Sequence, residues 1–268
     1  MQDSDCIEFL QWCVPRLGLR WPGFRKVRRT VCKRLGRRLA ALDLPDLDSY
    51  RAYIEKAPAE WEQIDELCRI PISWFWRDRG VFEFLASDVL PTMAQAVPKS
   101  RGWLRCWSLG CASGEEPFSL ALLWLFRLAR RFPHLRCAVM ATDVDPVLVG
   151  RAARACYPSG CLSDLPADLR AVFVTRGDQL CLPSVLRANV TLRCQDVRTA
   201  LPTGRFDLIF CRNLVFTYFS EELQARTLAQ LVERLRSGGA LVIGKHETLP
   251  AMKGLTGWRD GLGIYRRD

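Results

Sequence analysis

One stretch decides the fold: Leu104-Arg-Cys-Trp-Ser-Leu-Gly-Cys-Ala-Ser-Gly-Glu-Glu-Pro-Phe-Ser-Leu-Ala-Leu-Leu-Trp-Leu-Phe126. The apolar residues leading to Leu109 predict a buried strand. Gly110 and Gly114 predict a tight turn, because they permit backbone angles and close approaches that a side chain would block. Pro117 is typical of the first turn of a helix, which the following apolar residues continue. The stretch therefore predicts a strand, a glycine-rich turn and a helix.

The chemistry of this turn favours a ligand without phosphate. A phosphate-binding loop uses a lysine with Ser or Thr, or three glycines before a helix. This turn has no lysine and puts Glu115 and Glu116 at the start of the helix. Acidic side chains repel phosphate and suit hydroxyls, amines or a positive centre, all of which S-adenosylmethionine (SAM) carries. The alternative is an ordinary connection between a strand and a helix, with no ligand.

On both sides of this stretch, strands and helices alternate. Such alternation predicts an α/β fold with a doubly wound sheet. Ser237-Gly-Gly239 is predicted to stop the helix 223–235, and residues 262–267 are predicted to form an edge strand. The other predicted strands cover residues 136–145, 190–194, 204–213 and 240–244.

Asp143 lies at the end of the second predicted strand. In a nucleotide-binding sheet, an acid at this position can accept hydrogen bonds from ribose hydroxyls. The alternative is that Asp143 caps the helix that begins near Pro146, although Asp145 fits that cap better. Both interpretations of Asp143 remain open at this point.

The chain divides into three predicted parts. Residues 1–70 show helical periodicity and predict a small helical domain. Residues 71–98 form a linker, and residues 99–268 form the α/β domain. Within the α/β domain, the polar segment at about 157–189 predicts a short antiparallel insert.

The net charge of +10 is concentrated near the N-terminus. The segment Arg16–Arg38 contains many basic residues and no acidic one. Such a surface attracts nucleic acid, an anionic membrane or an acidic protein. The alternative is a solvent-exposed helix face that binds no partner.

The cysteine pattern and the length of the apolar runs bear on the cellular compartment of the protein. The 12 cysteines form no CxxC pair, and the chain has only 2 histidines, so reduced and buried thiols are predicted rather than a zinc site. No apolar run reaches the ~20 residues that a membrane span needs. The N-terminal residues lack a signal-peptide pattern, so we expect a cytosolic protein without membrane insertion.

The segment Pro71-Ile-Ser-Trp-Phe-Trp-Arg-Asp78 surrounds one arginine with aromatic residues. It has two equal interpretations. In one, it is an aromatic core patch in which Arg77 caps a neighbouring group. In the other, it is a lid whose apolar walls and single cation bind a carboxylate.

Taken in order, these motifs resemble the CheR family, the chemotaxis-receptor glutamate methyltransferases. The matching segments are ISWFWRD, GCASGEEPFS, ATDVD, FDLIFCRN, SGGALVIGKHE and the C-terminal GIYRR. The resemblance implies a Rossmann-like SAM-dependent methyltransferase sheet after an N-terminal all-helical domain. It also implies bacterial signalling in the cytoplasm, where SAM is converted to S-adenosylhomocysteine as receptor glutamates are methyl-esterified.

The resemblance also implies site residues and a partner. Arg77 and Tyr218 are the expected catalytic residues, and no metal is expected. The charge of the basic helix Arg16–Arg38 favours docking of an acidic helical region of a receptor. No nucleic-acid partner is expected. The expected cofactor-binding residues are Ser73, Arg77, Gly110, Glu115, Asp143, Asp196, Val197, Cys211, Arg212 and Asn213.

The chain departs from the family pattern on the methyl-acceptor side. Pro71 and Ser73 stand where the family has Asn and Thr, and GKHE replaces GHSE at residues 244–247. The segment CRNLVFTYF is one residue longer, so the active-site tyrosine is either Tyr218, displaced by one, or lost to Thr217. The short insert also argues against docking of a receptor tail peptide.

Two other functions therefore remain open. One is methylation of another protein or a small molecule, and the other is a non-catalytic module that senses SAM or its product. A nucleic-acid methyltransferase is disfavoured, because Arg212-Asn-Leu-Val-Phe216 occupies the place of the Pro-Pro-aromatic motif that amino-methylating enzymes usually carry.

Overall fold

The computed structural model describes residues 2–268. Two π-helical turns, Leu85–Val89 and Trp124–Leu128, extend the sixth and eighth helices. Within the described residues, every helix is too short or too polar to traverse a bilayer. The helices are α1 (Asp3–Cys13), α2 (Trp21–Phe24), α3 (Arg28–Ala41), α4 (Leu47–Lys56), α5 (Glu60–Cys68), α6 (Arg79–Phe84), α7 (Leu90–Ala96), α8 (Glu115–Leu123), α9 (Pro146–Arg154), α10 (Ala167–Arg170), α11 (Val215–Tyr218) and α12 (Glu221–Arg234).

The strands form one large and one small sheet. They are β1 (Trp103–Leu109), β2 (Arg136–Asp143), β3 (Cys156–Pro158), β4 (Val174–Arg176), β5 (Gln179–Cys181), β6 (Val190–Cys194), β7 (Phe206–Cys211), β8 (Leu235–Ile243), β9 (Leu255–Arg259) and β10 (Ile264–Arg267). The seven-stranded sheet has the order β6-β2-β1-β7-β8-β10-β9. Its first five strands pair in parallel, and β10 runs antiparallel to both of its neighbours. This mostly parallel sheet confirms the predicted α/β fold class.

The turn between β1 and α8 has the predicted form. Gly110 and Gly114 adopt positive φ values of 71° and 93°. A Cβ atom on Gly114 would lie 2.7 Å from the ring of Phe118, so the turn and the helix pack too closely for a side chain there. The amides of Gly110 and Cys111 donate to the carbonyl oxygen of Thr142 over 2.8 and 3.0 Å. These bonds tie the turn to the end of β2.

The predicted insert is a three-stranded antiparallel sheet of order β3-β5-β4. In its register, Cys156 pairs directly with Cys181, and Val174 pairs with the same residue from the other side. The insert is therefore a small sheet with its own strand pairing, as the polar and interrupted sequence predicted.

Two predictions at the C-terminal end were wrong. The strand β10 is not an edge strand, because β9 pairs with its outer side and forms the edge. The helix ends within one residue of the predicted position, since α12 ends at Arg234, but β8 begins at Leu235 and not at residue 240, so Ser237-Gly-Gly239 lies inside the strand. Gly239 instead allows close strand packing, since a Cβ atom there would lie 2.8 Å from the carbonyl oxygen of Asp207.

Tertiary contacts divide the chain into two units. One unit comprises Met1–Pro71 with Leu214–Ala225, and the other comprises Ile72–Asn213 with Arg226–Asp268. The N-terminal region is helical, as predicted, and α3 buries Val31, Leu35 and Leu39 along one face. The predicted domain boundaries at 70 and 98 stay a prediction.

The cysteine prediction was partly wrong. Disulfides join Cys6 to Cys32 and Cys156 to Cys181. The sequence pattern could not reveal these pairs, because each bridges residues about 25 positions apart whose proximity depends on tertiary structure. The other eight cysteines are free thiols, and six of these are buried as predicted.

Candidate active site

Glu115 is the first residue of α8 and is 5% exposed. Burial raises the pKa of its carboxyl group, and a hydrogen bond from the Ser73 side chain opposes that rise. Its Oε2 atom is buried without a hydrogen-bond partner. A buried carboxylate oxygen of this kind is costly unless a donor reaches it. The position predicted to hold the amino group of the cofactor therefore needs a donor.

Asp143 ends β2 and faces the glycine-rich turn. Its Oδ2 atom accepts from the amide of Ala112 over 2.8 Å, and Oδ1 accepts from the amide of Asp145 over 3.0 Å. Asp145 accepts from the amides of Val147 and Leu148 and so caps α9. The cap belongs to Asp145, as its sequence position favoured, which leaves Asp143 beside the turn as the ribose interpretation requires.

Arg77 lies between two strained residues. Trp76 and Asp78 both have φ values of 61°, in the left-handed region that non-glycine residues rarely adopt. The amide of Trp76 donates to Ser119 Oγ over 3.0 Å, which helps to hold this conformation. The Arg77 side chain donates to the carbonyl oxygen of Ile72 over 2.7 Å, and its guanidinium lies 4.5 Å from the centroid of the Trp74 ring.

The two interpretations of the segment 71–78 apply to different residues. Phe75 and Trp76 are buried, and the Phe75 ring makes edge contacts with Tyr157 and Phe173. Arg77 is only partly buried and stays outside that core. Phe75 and Trp76 therefore form a core patch, and Arg77 remains the candidate for binding a carboxylate.

Arg212 is buried beside this segment, with a side chain only 2% exposed. It forms ion pairs with Asp78 and, at 3.2 Å, with Glu116. It also donates to the backbone carbonyl oxygen of Arg77 over 3.0 Å. Its guanidinium thus holds the backbone carbonyl of Arg77 and the side-chain carboxylate of Asp78. Direct binding of the cofactor by Arg212 stays a prediction.

Glu116 completes this buried network. Its Oε1 atom accepts from Ser108 Oγ over 2.7 Å. Burial raises the pKa of the Glu116 carboxyl group, and the charge of Arg212 opposes the rise. Glu116 is therefore committed to internal contacts, whereas the neighbouring Glu115 keeps an oxygen available.

Asn213 and Glu247 join the ends of β7 and β8. Glu247 Oε2 accepts from the amide of Asn213 over 2.9 Å and from the amide of Gly244 over 2.6 Å. Asn213 has a φ of 55°, and its Oδ1 atom is buried without a partner. Glu247, within GKHE, was not among the predicted site residues. Its position three residues after the end of the predicted strand 240–244 was the available signal.

The remaining predicted residues differ in their surroundings. Asp196 is bound by Arg198, with the closest atoms 2.7 Å apart, and Val197 next to it is partly buried. Gln195, just before them, has a buried Oε1 atom without a partner. Cys211 is buried at the end of β7.

Tyr218 belongs to the unit that contains the N-terminal helices. Its ring lies 5.1 Å from that of Phe24, and the carbonyl oxygens of Phe216 and Thr217 accept from the side chain of Arg20. These contacts fix α11 within its own unit. The catalytic role of Tyr218 stays a prediction.

Three unsatisfied hydrogen-bond acceptors of the second unit fit SAM. Glu115 Oε2, Asn213 Oδ1 and Gln195 Oε1 are buried hydrogen-bond acceptors without partners. SAM offers an ammonium, two ribose hydroxyls and an adenine amino group as donors. Within residues 2–268, no group of three or more His, Cys, Asp or Glu side chains is arranged to hold a metal ion.

Residues 72–259 match the family described as CheR methyltransferase, SAM binding domain. The chain belongs to the CheR methyltransferase family. It is therefore a SAM-dependent methyltransferase, and the family assignment agrees with the unsatisfied acceptors of the site.

Relatives of this CheR-family chain include named chemotaxis proteins. A chemotaxis protein methyltransferase of Listeria monocytogenes is 34% identical over 76% of this chain and 76% of its own length. Chemotaxis protein methyltransferase 2 of Pseudomonas aeruginosa is 30% identical over 81% of this chain and 77% of its own.

Two further comparisons involve a much longer relative and a solved structure of low sequence identity. An uncharacterized 104.1 kDa protein of Rhodobacter capsulatus is 35% identical over 82% of this chain, which spans only 23% of that protein's length. The solved N-methyltransferase NodS of Bradyrhizobium japonicum aligns with 71% of this chain and 98% of its own at 16% identity, with a TM-score of 0.38.

Proposed function

We propose that this chain transfers methyl groups from SAM to glutamate side chains in the cytoplasmic region of chemoreceptors. The observation that carries the proposal is the buried Glu115 carboxylate with its unpartnered oxygen, set in a chain of the CheR family. The names of the relatives from Listeria and Pseudomonas support the choice of chemotaxis. Because receptor methylation sites face the cell interior, the proposal includes a cytoplasmic location.

In this proposal, the chain's own residues bind and orient the two reactants. SAM supplies a methyl group on a positively charged sulfur. Glu115 holds an ammonium group, Asp143 accepts from ribose hydroxyls, and Asn213 accepts from a donor near the ends of β7 and β8. A glutamate acceptor has a pKa of about 4.3 and is already ionised at neutral pH, so it needs no general base.

Arg77 and Tyr218 are the proposed catalytic residues. The guanidinium of Arg77 offers paired donors to a carboxylate, and Arg212 fixes its backbone carbonyl. Correct alignment of the acceptor oxygen with the methyl group supplies much of the rate in such a displacement. The role of Tyr218 rests on the resemblance in CRNLVFTYF.

The proposed docking surface for an acidic helical receptor region lies within Arg16–Arg38. Three of its arginines hold the N-terminal unit together: Arg28 pairs with Asp3, Arg34 donates to the carbonyl oxygen of Leu67, and Arg38 pairs with Glu60. The side chains exposed for a partner include Arg29, Lys33 and Arg37, which lie four residues apart on α3. We call these three residues the basic stripe.

The docking proposal predicts that charge reversal of the basic stripe weakens methylation of the receptor strongly and cofactor binding little. The triple variant Arg29→Glu, Lys33→Glu and Arg37→Glu separates the two effects. Arg226→Glu, on the exposed side of α12, is the matched control for an added negative charge. Equal loss of cofactor binding and methylation in the triple variant would contradict a docking role.

The function itself is tested by transfer of labelled methyl from SAM to receptor cytoplasmic fragments, with calorimetry of cofactor binding in parallel. Base-labile label on receptor glutamates is the expected result, because methyl esters hydrolyse readily in base. Cofactor binding without base-labile label would overturn the chemoreceptor substrate. The remaining interpretations would then be another methyl acceptor or a SAM-sensing module.

A further inference from the structure

A cleft of about 200 Å³ opens beside the small sheet of the insert. Arg154, Arg176 and Arg187 line it, and the lining residues among 2–268 include no acid. Arg154 and Arg176 are exposed, while Arg187 also donates to the carbonyl oxygen of Ala153. Three guanidinium groups without a balancing carboxylate create a positive local potential, which concentrates small anions.

The Cys156–Cys181 disulfide also lines this cleft. It joins directly paired residues of β3 and β5. Cys156 is partly exposed, whereas Cys181 is 5% exposed. An incoming reagent therefore reaches the sulfur of Cys156 more readily than that of Cys181.

The second disulfide provides an internal contrast. Cys6 is fully buried and Cys32 is 9% exposed, and neither belongs to the arginine-lined cleft. The two disulfides therefore differ both in access and in the charge around them. Access and electrostatics both govern the rate of thiol–disulfide exchange.

We propose that Cys156–Cys181 is a thiol–disulfide exchange site for a small thiol that carries carboxylates, such as glutathione, bound by the arginines of the cleft. The attacking group is a thiolate, whose negative charge the same arginines attract. The carboxylates of the thiol pair with Arg154 and Arg176. This site is separate from the proposed methyl transfer and does not depend on it.

The exchange proceeds in two balanced steps. The thiolate sulfur bonds to Cys156 Sγ, the Cys156–Cys181 bond breaks, and Cys181 leaves as a thiolate with the electron pair. A second thiolate then attacks the sulfur of the small molecule in the mixed disulfide and releases Cys156 as a thiolate. The protein disulfide is reduced to two cysteines, and two molecules of the small thiol are oxidised to their disulfide.

The test compares thiols of different charge on the oxidised full chain. Reduced glutathione, neutral 2-mercaptoethanol and cationic cysteamine are supplied at equal thiolate concentrations, and peptide mass mapping follows each cysteine after alkylation. We expect a glutathione adduct at Cys156 and a rate with glutathione about ten-fold or more above that with cysteamine. Cys6–Cys32 should stay oxidised while Cys156–Cys181 opens.

Charge variants separate binding in the cleft from general reactivity. Arg176→Glu should lower the rate with glutathione and leave the rate with 2-mercaptoethanol nearly unchanged, while Arg226→Glu should alter neither. Arg154→Glu is the second variant, in case the first disturbs the small sheet. Equal rates with all three thiols, or opening of Cys6–Cys32 at the same rate, would overturn the proposal. Absence of the Cys156–Cys181 bond from the oxidised chain would do so as well.

Discussion

At the scale of single residues, the central atom is the unpartnered Oε2 of Glu115. Glu115→Gln keeps the shape of the side chain but removes its negative charge. If an ammonium group binds there, the loss of a buried charge-assisted hydrogen bond should weaken cofactor binding by about ten-fold or more. Isothermal titration calorimetry with SAM or S-adenosylhomocysteine measures this change.

Glu222→Gln is the matched control, because Glu222 is an exposed carboxylate on the first turn of α12. Its cofactor affinity should equal that of the unaltered chain. Unchanged affinity in Glu115→Gln would remove Glu115 from the cofactor site.

The same residue predicts how cofactor affinity depends on pH. Because burial raises the pKa of Glu115, its carboxylate becomes protonated at a higher pH than an ordinary glutamate. Affinity should therefore fall as the pH is lowered through this raised pKa, since the protonated group no longer attracts an ammonium. Calorimetry across a pH series should show this decline in the unaltered chain but not in Glu115→Gln.

The raised pKa of Glu115 also has a consequence for stability without cofactor. An acid whose folded-state pKa exceeds its unfolded value stabilises the fold below the unfolded pKa, and this stabilisation is lost as the pH rises through the folded value. As the pH rises through this range, the free energy of unfolding of the cofactor-free chain should fall relative to that of the Glu115→Gln variant. Urea unfolding at several pH values measures the difference, and a parallel pH dependence in both proteins would contradict it.

The ion pair between Arg212 and Glu116 predicts that substitutions at these two residues have non-additive effects on the free energy of unfolding. Arg212→Met leaves Asp78 and the largely buried Glu116 without their cationic partner, and breaking a buried ion pair in this way costs about 3–5 kcal/mol of unfolding free energy. Arg212→Met combined with Glu116→Gln removes both charges and should recover part of that loss. Denaturant unfolding of the single and double variants measures the coupling, and equal destabilisation in the two would contradict it.

The sequence could predict the positions of Glu115 and Asp143, at the start of a helix and the end of a strand, because local pattern sets both. Their binding roles stay predictions. The sequence could not predict the partners of Arg212. Asp78 and Glu116 are more than 90 residues away in sequence, and only the fold brings all three together. Positions set by local pattern were therefore easier to predict than contacts that depend on the whole fold.

At the scale of elements, the turn before α8 offers a matched pair of glycines. Gly114 has a positive φ and no room for a Cβ atom, whereas Gly150 lies within α9 with open space around its Cβ position. Gly114→Ala should destabilise the chain by about 1 kcal/mol or more and weaken cofactor binding. Gly150→Ala should leave binding unchanged and stabilise α9 by up to about 1 kcal/mol. Thermal unfolding and calorimetry together test this contrast.

The parallel strands were predictable, because each is a short apolar run between turn signals. The prediction failed at β9 and at the start of β8. Residues 255–259 carry no clear alternation and become a strand by pairing with β10. Ser237, Gly238 and Gly239 are typical of a helix end, yet β8 pairs with β7 on both sides of them, at Leu235 and at Ala240, with a register irregularity between. In both cases the neighbouring strand overrides local preference.

At the scale of the whole molecule, the net charge of +10 predicts a dependence on salt. If an acidic receptor surface docks on the basic stripe, association should weaken as added salt screens the exposed charges. Raising the salt concentration from 50 to about 300 mM should therefore lower receptor methylation several-fold while SAM affinity changes little. Methylation rates and calorimetry at the same salt concentrations measure the two effects. Salt-independent methylation would contradict electrostatic docking.

The segment Gly244-Lys-His-Glu247 has a consequence for mutational tolerance. Gly244 abuts the side chains of Asn213 and Glu247, and Glu247 accepts both backbone amides at the junction, whereas Lys245 and His246 are exposed. A saturation library across the four positions, selected for methylation, should therefore return nearly every amino acid at the two middle positions. At the outer two it should return glycine and glutamate almost alone. Lys245 and His246, which replace the His-Ser of the family pattern, thus lie at positions that tolerate substitution. The hydrogen bonds that join the ends of β7 and β8 are left intact.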